Sequence, residues 1–446
     1  MNNFLCKAFG FDNERHSVKT EILAGFTTFL TMAYILAVNP SIFSPLAAFG
    51  MDTGAVFTAT TLAALVGTLV MAIYAKMPLG LAPGMGINAF FVYTVCLSMG
   101  HSWQFALTAI LLEGVIFIIL TAANIRMLIL DAIPDSLKKA IGAGIGLFIA
   151  FIGMQNAGII VHDDATLVSL GNITHGTALL ACFGLLFIGV LMHFKVKSAM
   201  LIGILATTLF GLLPIYHIAN PDGEVVRGAI TTFHGIISAP PSIASTFCQF
   251  DWHEVLSLDM VIVLFTFLFI DIFDTMGTLI AVSTKVNSEG EKIDINKAFM
   301  TDAIATVAGA CFGTNTTTTY VESASGIVQG GRTGLTAFST AVCFAAALFF
   351  APIFLAIPAA AIAPVLIIVG LLMLAPIKDI DFNDFTEGLP AFVTFTAMPL
   401  CYSISDGILL GMISYVAINA CTGKFKKISI TMWILAVLFV LKYIFI

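Results

Sequence analysis

Charge is what this 446-residue chain has least of: 10% of its residues are Asp, Glu, Lys or Arg, against 59% hydrophobic. A soluble domain carries about 25% charged residues, and one core could not bury so much apolar surface. Lipid must solvate most of the chain. Metal and redox motifs are also missing. The eight cysteines (Cys6, Cys96, Cys182, Cys248, Cys311, Cys343, Cys401 and Cys421) form no CxxC pair and keep no ligand spacing with histidine, so neither a zinc site nor a structural disulfide is implied. No HExxH and no Ser/His pairing stands in the apolar runs, and the longest polar stretch, 214–254, is too short for a catalytic domain. An enzyme is therefore not expected, and no cofactor is implied. The first 17 residues hold Lys7, Asp12, Glu14 and Arg15 without an apolar stretch and a small-residue cleavage site, so the first span itself is expected to act as the insertion signal.

What is present is a succession of apolar runs. The clear ones cover 20–38, 55–75, 103–122, 135–156, 176–193, 199–213, 255–283, 298–312, 334–352, 358–376 and 389–421. At roughly 20 residues per crossing they predict about fourteen transmembrane segments, with 430–446 ambiguous. With a cytoplasmic N-terminus, nearly all Lys and Arg fall on the inner side and only Arg227 lies clearly outside. That asymmetry obeys the positive-inside rule. The expected organisation is a cytoplasmic N-terminus (1–17), a first repeat (18–213), an extracellular linker (214–254) and a second repeat (255–446).

Seven spans per half force the two halves to be inverted relative to one another. Weak internal similarity agrees. Ile133-Pro134 precedes Gly146-Leu147 as Ile357-Pro358 precedes Gly370-Leu371, and Phe57 with Gly67 matches Phe299 with Gly309. The third span of each half is abnormal. One reads Pro78-Leu-Gly-Leu-Ala-Pro-Gly-Met-Gly-Ile-Asn-Ala-Phe-Phe91, the other Gly313-Thr-Asn-Thr-Thr-Thr-Thr-Tyr-Val-Glu-Ser-Ala-Ser-Gly326. Pro removes a donor, Gly weakens a helix and consecutive Thr favour an extended chain. Each is predicted to be a short strand leading into a half-helix, whose N-terminal N–H groups and positive dipole end face the membrane midplane. Paired interruptions of this kind point to a transport site.

Acids inside spans mark function. Asp271 and Asp274 stand at i,i+3 on one helix face. Two carboxylates there cannot both be charged cheaply in low dielectric, which makes the pair a proton carrier titrating as a unit. Glu322 opens the second half-helix and can accept hydrogen bonds from a ligand N–H. Asn88, in the other broken span, can donate and accept at once, as the edge of a heterocycle requires. Phe90, Phe91 and Tyr320 lie near enough in sequence to stack on a flat ring. Glu113 is expected to hold helices together, and Asp302, near the inner start of its span, to be partly wet.

The segments Ala82–Phe91, Phe269–Gly277 and Thr316–Gly326 followed by Gly330-Gly-Arg-Thr-Gly334 resemble signatures of the nucleobase–cation symporter-2 family, more narrowly its AzgA-like branch of hypoxanthine/guanine and adenine permeases. Gly142–Phe148 through Gln155-Asn156 fits the same branch, and the likeness runs over 18–446. It implies an all-α polytopic fold of 7+7 inverted spans with short strands in segments 3 and 10. Spans 1–4 and 8–11 would form a core, and spans 5–7 and 12–14 a gate. By resemblance Asp271 and Glu322 grip the base, Asn88 shares the pocket, Asp274 and Thr275 lie on the site-facing side of span 8, and Tyr320 with the backbone around Val321 lines it. The wider family often carries histidine on span 8; here Ile272 and Thr275 stand there, which leaves a histidine relay without a residue. The implied activity is import of a purine nucleobase by proton symport through the cell membrane, with Asp271, Asp274 and Glu322 coupling the proton. Guanine or hypoxanthine, adenine, and sodium in place of the proton all stay open, as does an anion carrier on the same fold. The resemblance also suggests a homodimer; nucleic acid is not an expected partner.

Overall fold

The computed structural model describes residues 2–12, 14–123, 133–174, 176–219, 225–232, 235–287, 294–433, 436–437 and 440. The second-half segment 430–446 thus lies largely outside the described residues. Among the described residues, eight helical stretches are long and apolar enough to cross a membrane: Val18–Phe49, Thr53–Ala75, Trp103–Ala122, Asp135–Asn156, Gly176–His193, Gly334–Leu355, Ala359–Asp379 and Ile404–Cys421. The expected fourteen crossings exceed that set. The remainder would have to come from shorter helices such as Met85–Ser98 and Ala199–Phe210 or from more polar ones.

In chain order the first half holds α1 (Asn2–Phe9), α2 (Val18–Met32), α3 (Ile35–Phe43), α4 (Thr53–Val70), β1 (Leu81–Pro83) and α5 (Met85–Ala89), which continues as a wide turn through Ser98. It then runs through α6 (Trp103–Ala122), α7 (Asp135–Asn156), the hairpin β2–β3 (Ile160–Asp163, Leu167–Leu170), α8 (Gly176–His193) and α9 (Ala199–Phe210). A second hairpin, β4–β5 (Tyr216–Ala219, Val225–Gly228), stands in the polar linker. The second half holds α10 (Leu258–Asn287), α11 (Ile295–Phe312), β6 (Thr317–Thr319), α12 (Ser323–Val328), α13 (Gly334–Ala347), α14 (Ala351–Leu355), α15 (Ala359–Met373), α16 (Phe385–Leu400) and α17 (Ile404–Cys421).

The helix ends follow local chemistry. Asp52 caps α4 by accepting from Ala55 N at 2.7 Å, and Asp294 caps α11 by accepting from Lys297 N at 3.2 Å. α11 stops at Gly313, whose φ of 97° is left-handed and whose missing Cβ leaves room for Thr246. The first span is broken between α2 and α3. Hydroxyls of Thr27 and Thr31 bond back to carbonyls one turn earlier, at 2.9 and 3.2 Å, which bends a helix. Pro40 adds a second perturbation. The bend matters because Tyr34 sits in it.

The chain forms two compact units, each drawing on both halves: Met1–Ile119 with Gly153–Val365, and Leu120–Ile152 with Leu366–Ile446. In the first, α4 packs on α11 and α13 packs on α2 and α4. α1 is tied to it through Phe9, Phe11, Ala72, Leu335 and Ala337, with the Phe9 and Phe338 rings 5.1 Å apart. The sequence-matched glycines take equivalent places here. A Cβ on Gly67 would lie 3.3 Å from Leu81 of β1, and one on Gly309 would lie 2.9 Å from Thr317 Oγ1 of β6. Each therefore lets a helix lie against the strand of its own half.

In the second unit the other matched pair meets directly. A Cβ on Gly146 would stand 2.7 Å from the Gly370 carbonyl oxygen, and one on Gly370 would press on the Gly146 carbonyl. Helices α16 and α17 pack through Gly407 and Gly411 against Thr394 and Met398, the small-residue contact expected where lipid gives no hydrophobic drive. Glu387 joins three segments of this unit. It accepts from Ser136 Oγ at 2.6 Å and from Lys427 Nζ at 3.0 Å.

These contacts predict opposite outcomes for two glycines of one helix. Gly146→Ala places its methyl 2.6 Å from Met373 Cβ and against the Gly370 backbone, and is expected to cost about 1–3 kcal/mol. Gly142→Ala meets nothing within 4 Å and should stabilise by about 0.5–1 kcal/mol. Thermal unfolding of the two detergent-purified variants reads the sign directly.

Candidate functional site

The two broken segments meet each other. β1 and β6 are antiparallel, with Leu81 opposite Thr319, Ala82 opposite Thr318 and Pro83 opposite Thr317. Gly84 N donates to Thr316 O at 2.9 Å, and Tyr320 N donates to Gly80 O at 3.0 Å, extending the ladder at both ends. Extended chain at membrane depth survives only if its outer edges are also satisfied. Here each half supplies side chains for its own strand. Thr68 of α4 accepts from Leu81 N at 3.0 Å and donates to Leu81 O at 3.2 Å. From α11, Asp302 accepts from Thr319 N at 3.3 Å and from Thr319 Oγ1 at 2.8 Å, and Thr306 Oγ1 donates to Thr317 O at 3.3 Å. Asp302 is thus fully buried, rather than partly wet as its position in the span suggested. Burying a carboxylate is tolerable because it accepts from two donors there. Glu113 holds segments together as expected, accepting from Thr316 Oγ1 at 2.6 Å.

The strands lead straight into α5 and α12, as their composition predicted, and the candidate residues gather where they do so. Asp271 is completely buried; it accepts from Thr275 Oγ1 at 3.0 Å, and Thr275 Oγ1 stands 2.9 Å from Thr318 Oγ1. This chain of hydroxyls ties α10 to β6. Asp274 Oδ2 would stand 3.3 Å from a Cβ on Gly84, so that carboxylate lies close against the turn from β1 into α5. One turn on, Asn88 is fully buried, and among the described residues neither polar atom of its amide has a hydrogen-bond partner. Leaving such a group unpaired costs about 1–3 kcal/mol.

On the opposite strand Tyr320 donates its hydroxyl to Pro83 O at 2.5 Å, pinning the crossing. Val321 is 45% exposed. Glu322 and Asp274 are each partly exposed, and Asp274 lies within electrostatic reach of both Asp271 and Glu322. The partly exposed acids are therefore Asp274 and Glu322, while Asp271, hydrogen-bonded to Thr275, is buried. Phe90 is packed away: its ring meets Phe267 edge-to-face at 4.9 Å and is 1% exposed. Phe91 likewise packs on Phe43.

Two residues of this region escaped the sequence reading. Tyr34, in the bend of the first span, donates its hydroxyl to Glu322 Oε1 at 2.6 Å. A polar aromatic beside a helix break was the available signal. Glu21, in the first turn of α2, is buried and accepts from Arg332 N at 3.1 Å and Thr333 N at 3.2 Å, and from the Thr336 hydroxyl. It satisfies the free N–H groups that open α13, which gives the Gly330–Gly334 motif a structural purpose.

Residues 19–410 match the model of a permease family. The chain is 43% identical to the guanine/hypoxanthine permease PbuG of Bacillus subtilis, covering 98% of this chain and 99% of that one. It is 40% identical to the adenine permease AdeQ of Escherichia coli, over 99% and 96% respectively. Among solved structures, the transmembrane domain of the cyanobacterial bicarbonate transporter BicA superposes with a TM-score of 0.62, covering 88% of this chain and 97% of that one at 16% identity. That last likeness is one of fold.

Removing Glu21 orphans buried donors. Glu21→Ala is expected to cost about 1–3 kcal/mol for each donor left unpaired, and Glu21→Gln less, because one amide oxygen still accepts. Melting midpoints of the purified variants should fall in that order.

Proposed function

The chain belongs to the permease family, the nucleobase–cation symporter-2 family of the motifs above, and on that premise we propose that it imports a purine nucleobase by proton symport across the cell membrane. Asn88 carries this reading. A fully buried amide whose polar atoms have no hydrogen-bond partner among the described residues, one turn from where Asp274 approaches Gly84, is a site prepared for a ligand that donates and accepts along one edge. Guanine and hypoxanthine have that edge, with a ring N1–H for a carboxylate to accept. The permeases named above carry both kinds of purine, so adenine is the alternative cargo. It lacks the N1–H and would need a protonated carboxyl to meet its amino and ring-nitrogen edge.

The proposed cycle begins outward-facing, with a proton entering the cluster of Asp271, Asp274 and Glu322. The base then binds between α5 and α12. Glu322, already oriented by Tyr34, accepts from the ring; Asn88 pairs with the ring edge; Tyr320 and the backbone at Val321 border it. Asp271 acts from behind Thr275, as a proton store coupled to Asp274 more than as a direct ligand. We further propose the 7+7 arrangement of core and gate, a cytoplasmic N-terminus, and a core that moves against the gate to release base and proton inside. An anion cargo, which the bicarbonate transporter's fold would permit, is opposed by three clustered carboxylates that repel it.

Uptake of radiolabelled hypoxanthine is the test, in cells lacking their own purine permeases, with cold guanine, adenine, uracil and xanthine as competitors. Guanine should compete, and a protonophore should abolish accumulation. Glu322→Gln removes a charged acceptor worth about 1.5–3 kcal/mol and should raise the apparent KM ten- to hundredfold. Asp271→Asn keeps the shape and removes a titrating group; uptake matching wild type across pH would sink the coupling role. Competition by adenine alone would change the cargo and leave the site in place.

A further inference from the structure

The linker 214–254 is hydrogen-bonded to α4 through Thr58 and to α6 through Thr108, and a third contact, with α11, has unusual chemistry. Cys248 N donates to Cys311 O at 2.7 Å, Thr246 Oγ1 donates to Phe312 O at 3.0 Å, and Gly313 has room for Thr246 only because it lacks a Cβ. This segment is therefore laid along the last turn of α11, immediately before the chain turns into β6. The side chains of Cys248 and Cys311 lie close enough to interact electrostatically. Cys248 is exposed and Cys311 half-buried. The N–H···O bond caps the Cα–Cα separation at about 6.6 Å, once the N–Cα and carbonyl geometry is added, which lies within the range of about 4.4–6.8 Å that a disulfide spans. Cys248 also holds a left-handed φ of 52°, a conformation a cysteine adopts only when its surroundings impose it.

We propose that Cys248 and Cys311 are a disulfide-forming pair, a modification site that staples the linker to the end of α11. The reaction is thiol–disulfide exchange with a small or protein disulfide as oxidant. The exposed Cys248 thiolate attacks one oxidant sulfur and expels the other as a thiolate. Cys311, deprotonated, then attacks Cys248 Sγ in the mixed disulfide and releases the second oxidant thiolate. Two protein thiols give up two electrons and two protons, and one oxidant disulfide becomes two thiols. With the linker outside, as proposed above, the oxidant belongs to the extracytoplasmic side, where disulfides persist. The bond closes a loop that contains all of α10, including Asp271, Asp274 and Thr275. It also fixes the entrance to β6 through Gly313.

The test uses full-length protein in detergent, treated with oxidised glutathione, denatured, alkylated with N-ethylmaleimide, digested and weighed by mass spectrometry. The peptides holding Cys248 and Cys311 should appear as one linked species that dithiothreitol separates. Cys311→Ser should leave Cys248 carrying glutathione, the trapped first step. Oxidised wild-type protein should melt several degrees above the reduced form, and Cys248→Ser should abolish the difference. Alkylated Cys248 in oxidised wild type, or Cys248 carrying glutathione beside alkylated Cys311, would overturn the pair. None of these readouts involves cargo, so failure of the purine assignment would leave them unchanged.

Discussion

Every feature of the site depends on one constraint: backbone that leaves the helix inside a membrane must find its hydrogen bonds within the protein. Two segments rich in Pro, Gly and Thr cannot remain helical, and neither could survive alone. They satisfy each other as β1 and β6, and each half then closes its own outer edge, with Thr68 on one side and Asp302 and Thr306 on the other. The ladder fixes where α5 and α12 begin. The positions of Asn88, Asp274 and Glu322 follow from it.

The buried acids divide by what they accept. Glu21, Glu113 and Asp302 accept from backbone or hydroxyl donors and serve as struts. Asp274 and Glu322 are partly exposed, and Glu322 accepts the phenolic hydroxyl of Tyr34. A partly exposed carboxylate near an amide that has no hydrogen-bond partner among the described residues can respond to a ligand or proton in a way that a buried strut cannot. Position in a span does not distinguish the two groups; their partners do.

That is also where reading the sequence ran out. Composition and broken periodicity were enough for a polytopic chain, for two strands leading into half-helices, and to single out Asp271, Asp274, Glu322 and Asn88 as candidates. The matched glycines were visible as weak repeats, and their reciprocal contact in the second unit gives those repeats a physical cause. The roles of Tyr34 and Glu21 were not legible, even though a polar aromatic beside a helix break marked Tyr34, because each acts on a partner some 300 residues away: Tyr34 on Glu322, 288 positions along, and Glu21 on Arg332, 311 along. Asp302 looked wet because its depth was judged from its place in the span, and Phe90 looked like a stacking surface because its ring partner, Phe267, lies on a helix of the other half. Local patterns specify local structure; the use of a side chain is set by what the fold brings against it.

The three-pair register has an evolutionary consequence. Strand side chains alternate faces, so a slip of one residue would turn Thr318 away from Thr275 and Pro83 away from Thr317. A single-residue insertion or deletion in either broken segment would thus be felt in the opposite half of the gene. The loops are free to lengthen, but these two stretches, far apart in the chain, must keep their lengths in step as though they were one exon.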